Sequence, residues 1–262
     1  SGKTLTIIQN ENKKMKFSFI LLATLGFMSN TLQAKESKTD EIFKTYRFSL
    51  YVGPTFNSLK PTATRSDNYV VSKGKTNVGF NFGIGADYNI NDRYTIYSGL
   101  GMDWRGGALS VMHDSTQALE NGYLKDADVK YKKMQYLSVP LGLKMKAVEI
   151  NQFRVFAQTG LDLGILLSQK GDYTIRLAND SLIARTNEKL GGTATVVPVN
   201  MGWCIGAGTE YTLNDKNAIY ATILYRNGFI DATTPLSNDL TRKFSDGNIR
   251  SNSVVIRIGY FF

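Results

Sequence analysis

A histidine and an aspartate are adjacent in the segment SVMHDST, residues 110–116, and serines stand on both sides of them. His113 could serve as a general base that Asp114 orients, and the nucleophile would then be Ser110 or Ser115. Catalysis requires hydrogen-bond distances between these groups, which side chains adjacent in sequence rarely provide. The alternative is a solvated polar loop. We favour that alternative and predict that the protein is not an enzyme.

A second set of reactive side chains consists of charged residues that recur within otherwise apolar segments. The carboxylates among them could form acid–base pairs or hold a cation. Basic residues occupy the same kind of position, however, and mixed charges favour a structural network of ion pairs. The set comprises Arg47, Asp87, Asp103, Lys144, Arg154, Asp162, Glu210, Arg226 and Arg257.

Metal and disulfide chemistry is restricted by the residue counts. The chain has 1 cysteine, Cys204, and 1 histidine, His113. A single cysteine excludes an intramolecular disulfide and a thiolate cluster, and a single histidine excludes a multi-histidine metal site. Cys204 lies between Gly202 and Gly206, which suits a small packed thiol. We therefore expect no metal ion and no cofactor.

The segments that carry the charged residues alternate between apolar and polar side chains, which is typical of strands with one apolar face. Each reaches the length of about 9–11 residues that a tilted strand needs to cross a bilayer. The content of 24 glycines and 5 prolines in 262 residues also suits many strands and turns. The segments are residues 44–53, 76–89, 93–103, 133–146, 153–164, 198–212, 217–228 and 251–262.

The connections between these segments alternate in length. Three are short, at INDR near residue 91, at 147–152 and at 213–216. The other four are long and span residues 54–75, 104–132, 165–197 and 229–250. Short turns on one rim and long loops on the other predict an all-β, eight-stranded antiparallel up-and-down transmembrane barrel, with periplasmic turns and extracellular loops. A strand set in a soluble sandwich is the alternative.

The two faces of each strand predict which side meets lipid. Residues such as Phe48, Leu50 and Val52 share one parity, while charged residues and glycines share the other. Unpaired charges avoid lipid, so the charged face must point into the barrel. An eight-stranded barrel is just wide enough for side chains to fill. We therefore predict a plugged polar lumen, as opposed to a small-solute channel.

The N-terminal part of the chain has the composition of an export signal. From Met15 a lysine precedes an apolar run at residues 17–28, and small and polar residues follow up to Ala34. The apolar run is too short to span a membrane as a helix. We interpret residues 1–14 as upstream sequence, 15–34 as the signal peptide, 35–43 as a periplasmic segment and 44–262 as the barrel domain.

The C-terminus ends on three aromatic residues, Tyr260, Phe261 and Phe262. In a closed barrel the last strand pairs with the first, which would place Tyr260 and Phe262 in an aromatic girdle at the lipid interface. This ending is similar to the signal that outer-membrane proteins present to the barrel assembly machinery, which is therefore an expected partner.

The segment MQYLSVPLGLKMK, residues 134–146, resembles the strand Y-L-x-x-P-L-x-L-K of the PorT-like outer-membrane β-barrel family, the porin-family proteins of Bacteroidetes-type bacteria. Pro140 makes the resemblance specific, because proline is normally excluded from central strands. The glycine-rich segment 80–90 and the aromatic C-terminus extend it. The resemblance implies an outer-membrane location, and one family member belongs to a protein secretion and gliding apparatus. The long loops match no pattern of the family.

The long loops are the places where binding is expected. The first carries basic residues that could contact lipopolysaccharide phosphates, namely Lys60, Arg65, Lys73 and Lys75. The third, residues 165–197, contains alternating segments that predict a hairpin with an exposed edge for a protein partner. The formal charge of +9 is not clustered on a helical or aromatic platform, which argues against nucleic acid.

These observations predict an outer-membrane protein with a structural or interaction role. Its expected contacts are outer-membrane lipid, lipopolysaccharide and envelope proteins. A subunit of a secretion machinery is the alternative that the family resemblance suggests. A lipid-modifying enzyme centred on His113 and a small-solute channel remain as further hypotheses.

Overall fold

The computed structural model describes residues 45–62, 65–66, 69–114, 124–189, 196–214, 217–233 and 248–262. The predicted signal peptide lies outside these ranges, as do Ser115 and the side chain of Arg65. Within the described ranges, no helix has the length and apolar character required to cross a membrane.

The described residues form a single antiparallel sheet of strands that differ widely in length. The longest strands have 27 and 25 residues, far more than the approximately 10 that cross a bilayer. The strands are β1 (Tyr46–Pro61), β2 (Arg65–Ser66), β3 (Tyr69–Lys73), β4 (Asn77–Asn89), β5 (Tyr94–His113), β6 (Leu124–Ile150), β7 (Phe153–Leu177), β8 (Leu182–Glu188), β9 (Val199–Thr212), β10 (Ala218–Gly228) and β11 (Ile249–Phe261).

Eight of these strands close into a ring. Its order is β1, β4, β5, β6, β7, β9, β10 and β11, and every neighbouring pair is antiparallel. The last strand pairs with the first, with Leu50 opposite Tyr260. The short strands β2, β3 and β8 are not members of the ring. At the rim with the long connections, β3 pairs with β5, β2 pairs with β3, and β8 pairs with β7. The predicted eight-stranded up-and-down barrel is thus confirmed.

The predicted strand ends were wrong on the rim with the long connections. β1 continues to Pro61, β5 to His113 and β7 to Leu177, while β6 begins at Leu124. Much of the predicted loops 54–75, 104–132 and 165–197 is therefore strand. The predicted turn at 147–152 was also too long. β6 reaches Ile150, and only Asn151 and Gln152 form the turn, with Asn151 in the left-handed region at φ 55°.

The missed strand ends have a physical cause, which β6 shows most clearly. In its second half, leucines such as Leu141 point outward and Pro140 points inward. In its first half the apolar side chains point inward and the polar ones outward: Val129 is buried inside and Lys130 is exposed outside. A bulge between Tyr131 and Lys133 accompanies the change. A strand predicted from an apolar outer face therefore ends where the apolar side chains change to the inner face.

At the rim with the long connections, the strand ends with this inverted pattern enclose a cluster of apolar side chains. We call this cluster the apolar core. Its side chains are almost fully buried. They come from β1, β3, β5, β6, β7 and β11 and from two rim connections. The members are Leu59, Val71, Leu109, Val111, Leu124, Ala127, Val129, Tyr131, Met134, Tyr136, Ile175, Val196, Ala232 and Ile249. This core differs from the predicted interior, which is polar throughout.

Candidate functional site

Between the apolar core and the rim with the short turns, the interior of the barrel holds charged residues. We call this part of the interior the charged lumen. Its centre is a cluster of two arginines and two aspartates. Arg105 donates from Nε to Asp103 Oδ2 at 3.0 Å and from Nη2 to Asp162 Oδ2 at 2.5 Å. Arg226 contacts the same two carboxylates. Ser138 donates a further hydrogen bond to Asp162, so the buried charges are balanced and bonded.

Arg105 was missed in the sequence analysis although it is the largest fully buried side chain of the barrel, at 1% exposure. The predicted strand ended at residue 103, which left Arg105 in a loop. The parity that places Asp103 inside also places Arg105 inside, and this was the signal that could have identified it. Its guanidinium also lies 4.7 Å from the ring centre of Tyr136 and donates to Asn200 Oδ1 at 3.1 Å.

A second charged layer lies toward the rim with the short turns. Arg47 Nη2 is 2.7 Å from Glu210 Oε1, and Lys144 Nζ is 2.6 Å from Asp87 Oδ2. The ring of Phe261 lies beneath Arg47, with 4.0 Å between the guanidinium carbon and the ring centre. Arg47 and Lys144 therefore each have a carboxylate partner, and an aromatic ring closes the layer.

Arg154 and Arg257 differ from the other predicted members. Arg154 lies at the short-turn rim, where it binds Glu149 at 2.9 Å, and its Nη1 is 3.7 Å from Glu210. Arg257 donates to Asn81 Oδ1 at 3.2 Å and lies 4.4 Å from the ring centre of Tyr51. The prediction of an ion pair for Arg257 is therefore wrong among the described residues. The two central aspartates are engaged by other arginines.

Tyrosines fill the space between the two charged layers, and glycines make room for them. A Cβ atom on Gly101 would lie 2.2 Å from Tyr51 Oη, and one on Gly259 would lie 2.3 Å from Cζ of Tyr220. A cavity between these side chains has a volume of about 30 Å³, which is room for a water molecule or two. Cys204 also points inward, with its Sγ 3.4 Å from Tyr97 Oη.

The structure separates the residues of the candidate catalytic segment. Ser110 and His113 are three positions apart on β5, so their side chains point to opposite faces of the sheet. Ser110 donates to Asp128 Oδ1 at 2.5 Å, while the ring of His113 packs edge-on against Tyr69 at 5.4 Å. In this geometry His113 therefore cannot act as the general base for Ser110 as a nucleophile.

The C-terminal aromatic residues divide between the two faces of β11. Tyr260 and Phe262 are exposed on the outer wall, whereas Phe261 is buried in the lumen. Other aromatic side chains form a belt with the outer pair at the same rim. The belt members are Tyr46, Phe48, Tyr88, Tyr94 and Phe153.

The basic residues of the predicted first loop lie on different elements. Lys60 is on β1, Lys73 is on β3 and Lys75 is in the connection that follows, and all three are exposed. Lys60 and Lys73 line the same cleft on the outer wall. Lys75 does not line this cleft, and the side chain of Arg65 is outside the described part of the chain.

Comparison with known families gives one match for most of the chain. A family model described as "Outer membrane protein beta-barrel domain" matches residues 23–247. A search of curated protein sequences finds no significant match.

Solved structures with similar folds include three bacterial membrane proteins. The attachment invasion locus protein Ail of Yersinia pestis is 15% identical with a TM-score of 0.36, over 83% of this chain and 99% of that one. The outer membrane protein OprG from Pseudomonas aeruginosa is 12% identical with a TM-score of 0.44, over 83% and 96%. The outer membrane protease OmpT from Escherichia coli is 9% identical with a TM-score of 0.46, over 83% and 96%. Identities this low carry no information about activity.

Proposed function

The chain belongs to the family of outer membrane protein β-barrel domains, and we propose that within the outer membrane it has a structural or interaction role at the cell surface. Its short turns face the periplasm and its long connections face outward. The observation that carries the proposal is the filled interior. The apolar core closes the outer end of the barrel, and charged and tyrosine side chains fill the rest.

The filled interior leads us to expect no diffusive channel. A cavity of about 30 Å³ is enclosed by side chains such as Tyr97, Lys144 and Tyr220. Purified protein inserted into planar bilayers should show no steady single-channel conductance. A reproducible open state in the folded protein would contradict the closed lumen and favour a small-solute channel.

We place the interaction surface on β8, the strand that extends the barrel wall beyond the membrane. Among the described residues β8 pairs only with β7, so its second edge is open. All its residues are exposed, including the apolar Leu182 and Ile183. An exposed strand edge can add a strand from another chain through main-chain hydrogen bonds, while side chains on alternate positions select the partner.

The test is crosslinking in native outer membranes followed by mild-detergent affinity purification. The variant Ile183→Lys places a charge on the open edge, which is a common way to block strand addition. The matched control is Met112→Lys, which changes an exposed apolar residue on β5 instead. A protein recovered with the wild type and the control but lost with Ile183→Lys would support the edge.

Two results would contradict this proposal. Recovery of the same partner with both variants would reject β8 as the contact. Recovery of the barrel alone from every sample would reject a protein-interaction role and favour a stand-alone surface protein.

The resemblance of residues 134–146 to the PorT-like strand favours a second candidate, a subunit of a protein secretion machinery. Its test is the identity of the crosslinked proteins. A stoichiometric set of secretion and envelope proteins would support a machine subunit, and its absence from crosslinked samples would remove the candidate.

We propose no catalytic role for the segment around His113. The opposite orientations of Ser110 and His113 support this view. The variant His113→Ala should leave the lipid profile of the membrane unchanged, as measured by mass spectrometry of extracted lipids. A lost lipid modification with an intact barrel would instead favour an enzyme.

A further inference from the structure

The outer wall of the barrel carries a cleft where β4 begins. β1 pairs with β4 only as far as Asn57, opposite Asn77. Beyond that point β3 stands near β1, but among the described strands it forms its ladders with β5 and β2. The resulting cleft has a volume of about 700 Å³. Leu59 and Val71 are fully buried behind it, so it faces outward and not into the lumen.

The chemistry of the cleft changes with height. Its lower part is apolar and is lined by Phe56, Tyr225 and Val254, which are all exposed on the outer wall. Its upper part is lined by Lys60 and Lys73 together with Pro61, Val70 and Val71. A single cleft therefore presents an apolar surface and, above it, positive charge.

The height of the cleft matches the outer boundary of the hydrocarbon layer. On β1 the apolar outer face runs from Tyr46 to Phe56, close to the approximately 10 residues that cross a bilayer. Phe56 and Tyr225 are aromatic side chains at the outer end of this span, where interfacial girdles occur. Lys60 follows Phe56 by four residues on the same face, which would place it near the level of the lipid headgroups.

Among the residues that the structure describes, the positive charge at the top of the cleft has no ion-pair partner. Lys60 lies directly opposite Arg250 on β11, and both side chains are exposed on the same face. Like charges in directly opposed positions destabilise a strand pair. Among the described residues, no carboxylate forms an ion pair with Lys60, Lys73 or Arg250. An anion between these groups would remove the repulsion.

We propose that this cleft binds one phosphorylated lipid of the outer leaflet. One acyl chain lies against Phe56, Tyr225 and Val254, and the phosphate accepts hydrogen bonds from Lys60 and Lys73, with Arg250 close by. The proposal is independent of the interaction role of β8. Of the basic residues expected to contact lipopolysaccharide phosphates, the proposed site contains Lys60 and Lys73. Lys75 is not part of this site.

The test uses native mass spectrometry of the purified barrel with a phosphorylated lipid A and with its dephosphorylated form. The wild type should retain one phosphorylated molecule and bind the dephosphorylated form weakly. In Lys60→Gln/Lys73→Gln, retention should fall about tenfold or more, because each lysine near a lipid surface contributes measurably to anion binding. The matched control, Lys130→Gln/Lys133→Gln, removes two exposed lysines of β6 and should retain lipid like the wild type.

A second variant tests the apolar half of the cleft. Ser58→Trp would fill it while leaving both lysines in place, and it should reduce retention of the phosphorylated lipid. Heat-dependent migration in gels would verify that each variant is folded. Equal retention by the wild type and Lys60→Gln/Lys73→Gln would overturn the proposal, and so would equal binding of the two lipid forms.

Discussion

The two halves of the barrel interior are both filled by side chains, but one half is filled by charged residues and the other by apolar residues. In the charged lumen, Arg105 and Arg226 share the carboxylates of Asp103 and Asp162. In the apolar core, side chains such as Leu109 and Val129 pack with almost no exposure. Both regions belong to the same strands, so the chemistry changes along a continuous backbone.

The difference follows the medium outside the wall. Where the outer face meets lipid, it is apolar, and the polar groups of the strand are left to the interior, where they must be paired. Where the outer face meets water, it is polar, and the interior is apolar as in a soluble domain. The charged lumen therefore depends on the completeness of its ion pairs, and the apolar core depends on buried area.

The largest expected effect comes from breaking the central cluster. Asp162→Leu would leave Arg105 and Arg226 with one carboxylate, and we expect a loss of about 3–5 kcal/mol in the free energy of unfolding. The measurement is urea-induced unfolding in lipid vesicles. The double variant Asp162→Leu/Arg105→Leu removes one charge of each sign and should recover much of the loss. If both variants were as stable as the wild type, the charged lumen would not depend on pairing.

The corresponding change in the apolar core should have a smaller and more local effect. Leu109→Ala should cost about 3 kcal/mol, because it removes buried surface and leaves a cavity. The matched control on the same strand is Leu100→Ala, which faces outward with 45% exposure and leaves no cavity in fluid lipid.

Hydrogen exchange would show where the loss occurs. In Leu109→Ala, amides of residues 109–113 should lose protection while those of residues 95–103 keep it. Equal losses of protection in both parts would show that the two halves of β5 unfold as a unit and that the apolar core and the charged lumen are not separately stable.

The tyrosine packing of the charged lumen should give a moderate effect. A Cβ on Gly259 would overlap the ring of Tyr220, so Gly259→Ala should cost about 1–3 kcal/mol. Because the nearest atoms all belong to Tyr220, the added variant Tyr220→Leu should lower that cost in a double-mutant cycle. Strictly additive losses would show that the overlap is relieved elsewhere.

The smallest expected effect is a dependence on pH outside the membrane. Hydrogen bonds from Lys132 and from the backbone N–H of Asn187 hold the pKa of Asp172 below its usual value, although its slight burial acts to raise it. A lowered folded-state pKa contributes stability above the unfolded value of 3.8, and this contribution is lost as the pH falls through the folded value.

Protection of the Asn187 amide would report this effect. It should decrease on acidification below about pH 4, by no more than about 1 kcal/mol for an exposed pair. The decrease should disappear in Asp172→Asn. A protection factor in the wild type that does not change with pH would contradict the role of Asp172.

Much of the barrel could be predicted from the sequence because alternation is a local property. The parity of Phe48, Leu50 and Val52 identifies the lipid face of β1, and the same reasoning places Arg47 inside. Strand count and the short turns followed from the spacing of such segments. Ion pairs such as Lys144 with Asp87 could not be predicted, since they join residues 57 positions apart.

The apolar core could not be predicted for a related reason, whereas Arg105 shares the inward parity of Asp103 and was within reach of the pattern. An apolar outer face identifies a strand only where lipid surrounds it, so the inward-facing Leu109 and Val111 fall in a predicted loop. The bulge between Tyr131 and Lys133 also changes the parity of β6, and a period of two cannot continue through it. These features depend on where the membrane ends, which the pattern of one strand does not state.

The charged outer face at the start of β6 has a consequence for how the protein is held in place. Asp126, Asp128, Lys130, Lys132 and Lys133 stand on the wall above the bilayer. During assembly they must be carried through the hydrocarbon, and each lysine at the midplane costs about 2–4 kcal/mol. Once they have crossed, the same cost opposes their return. These side chains therefore help to fix the depth and direction of the barrel in the membrane.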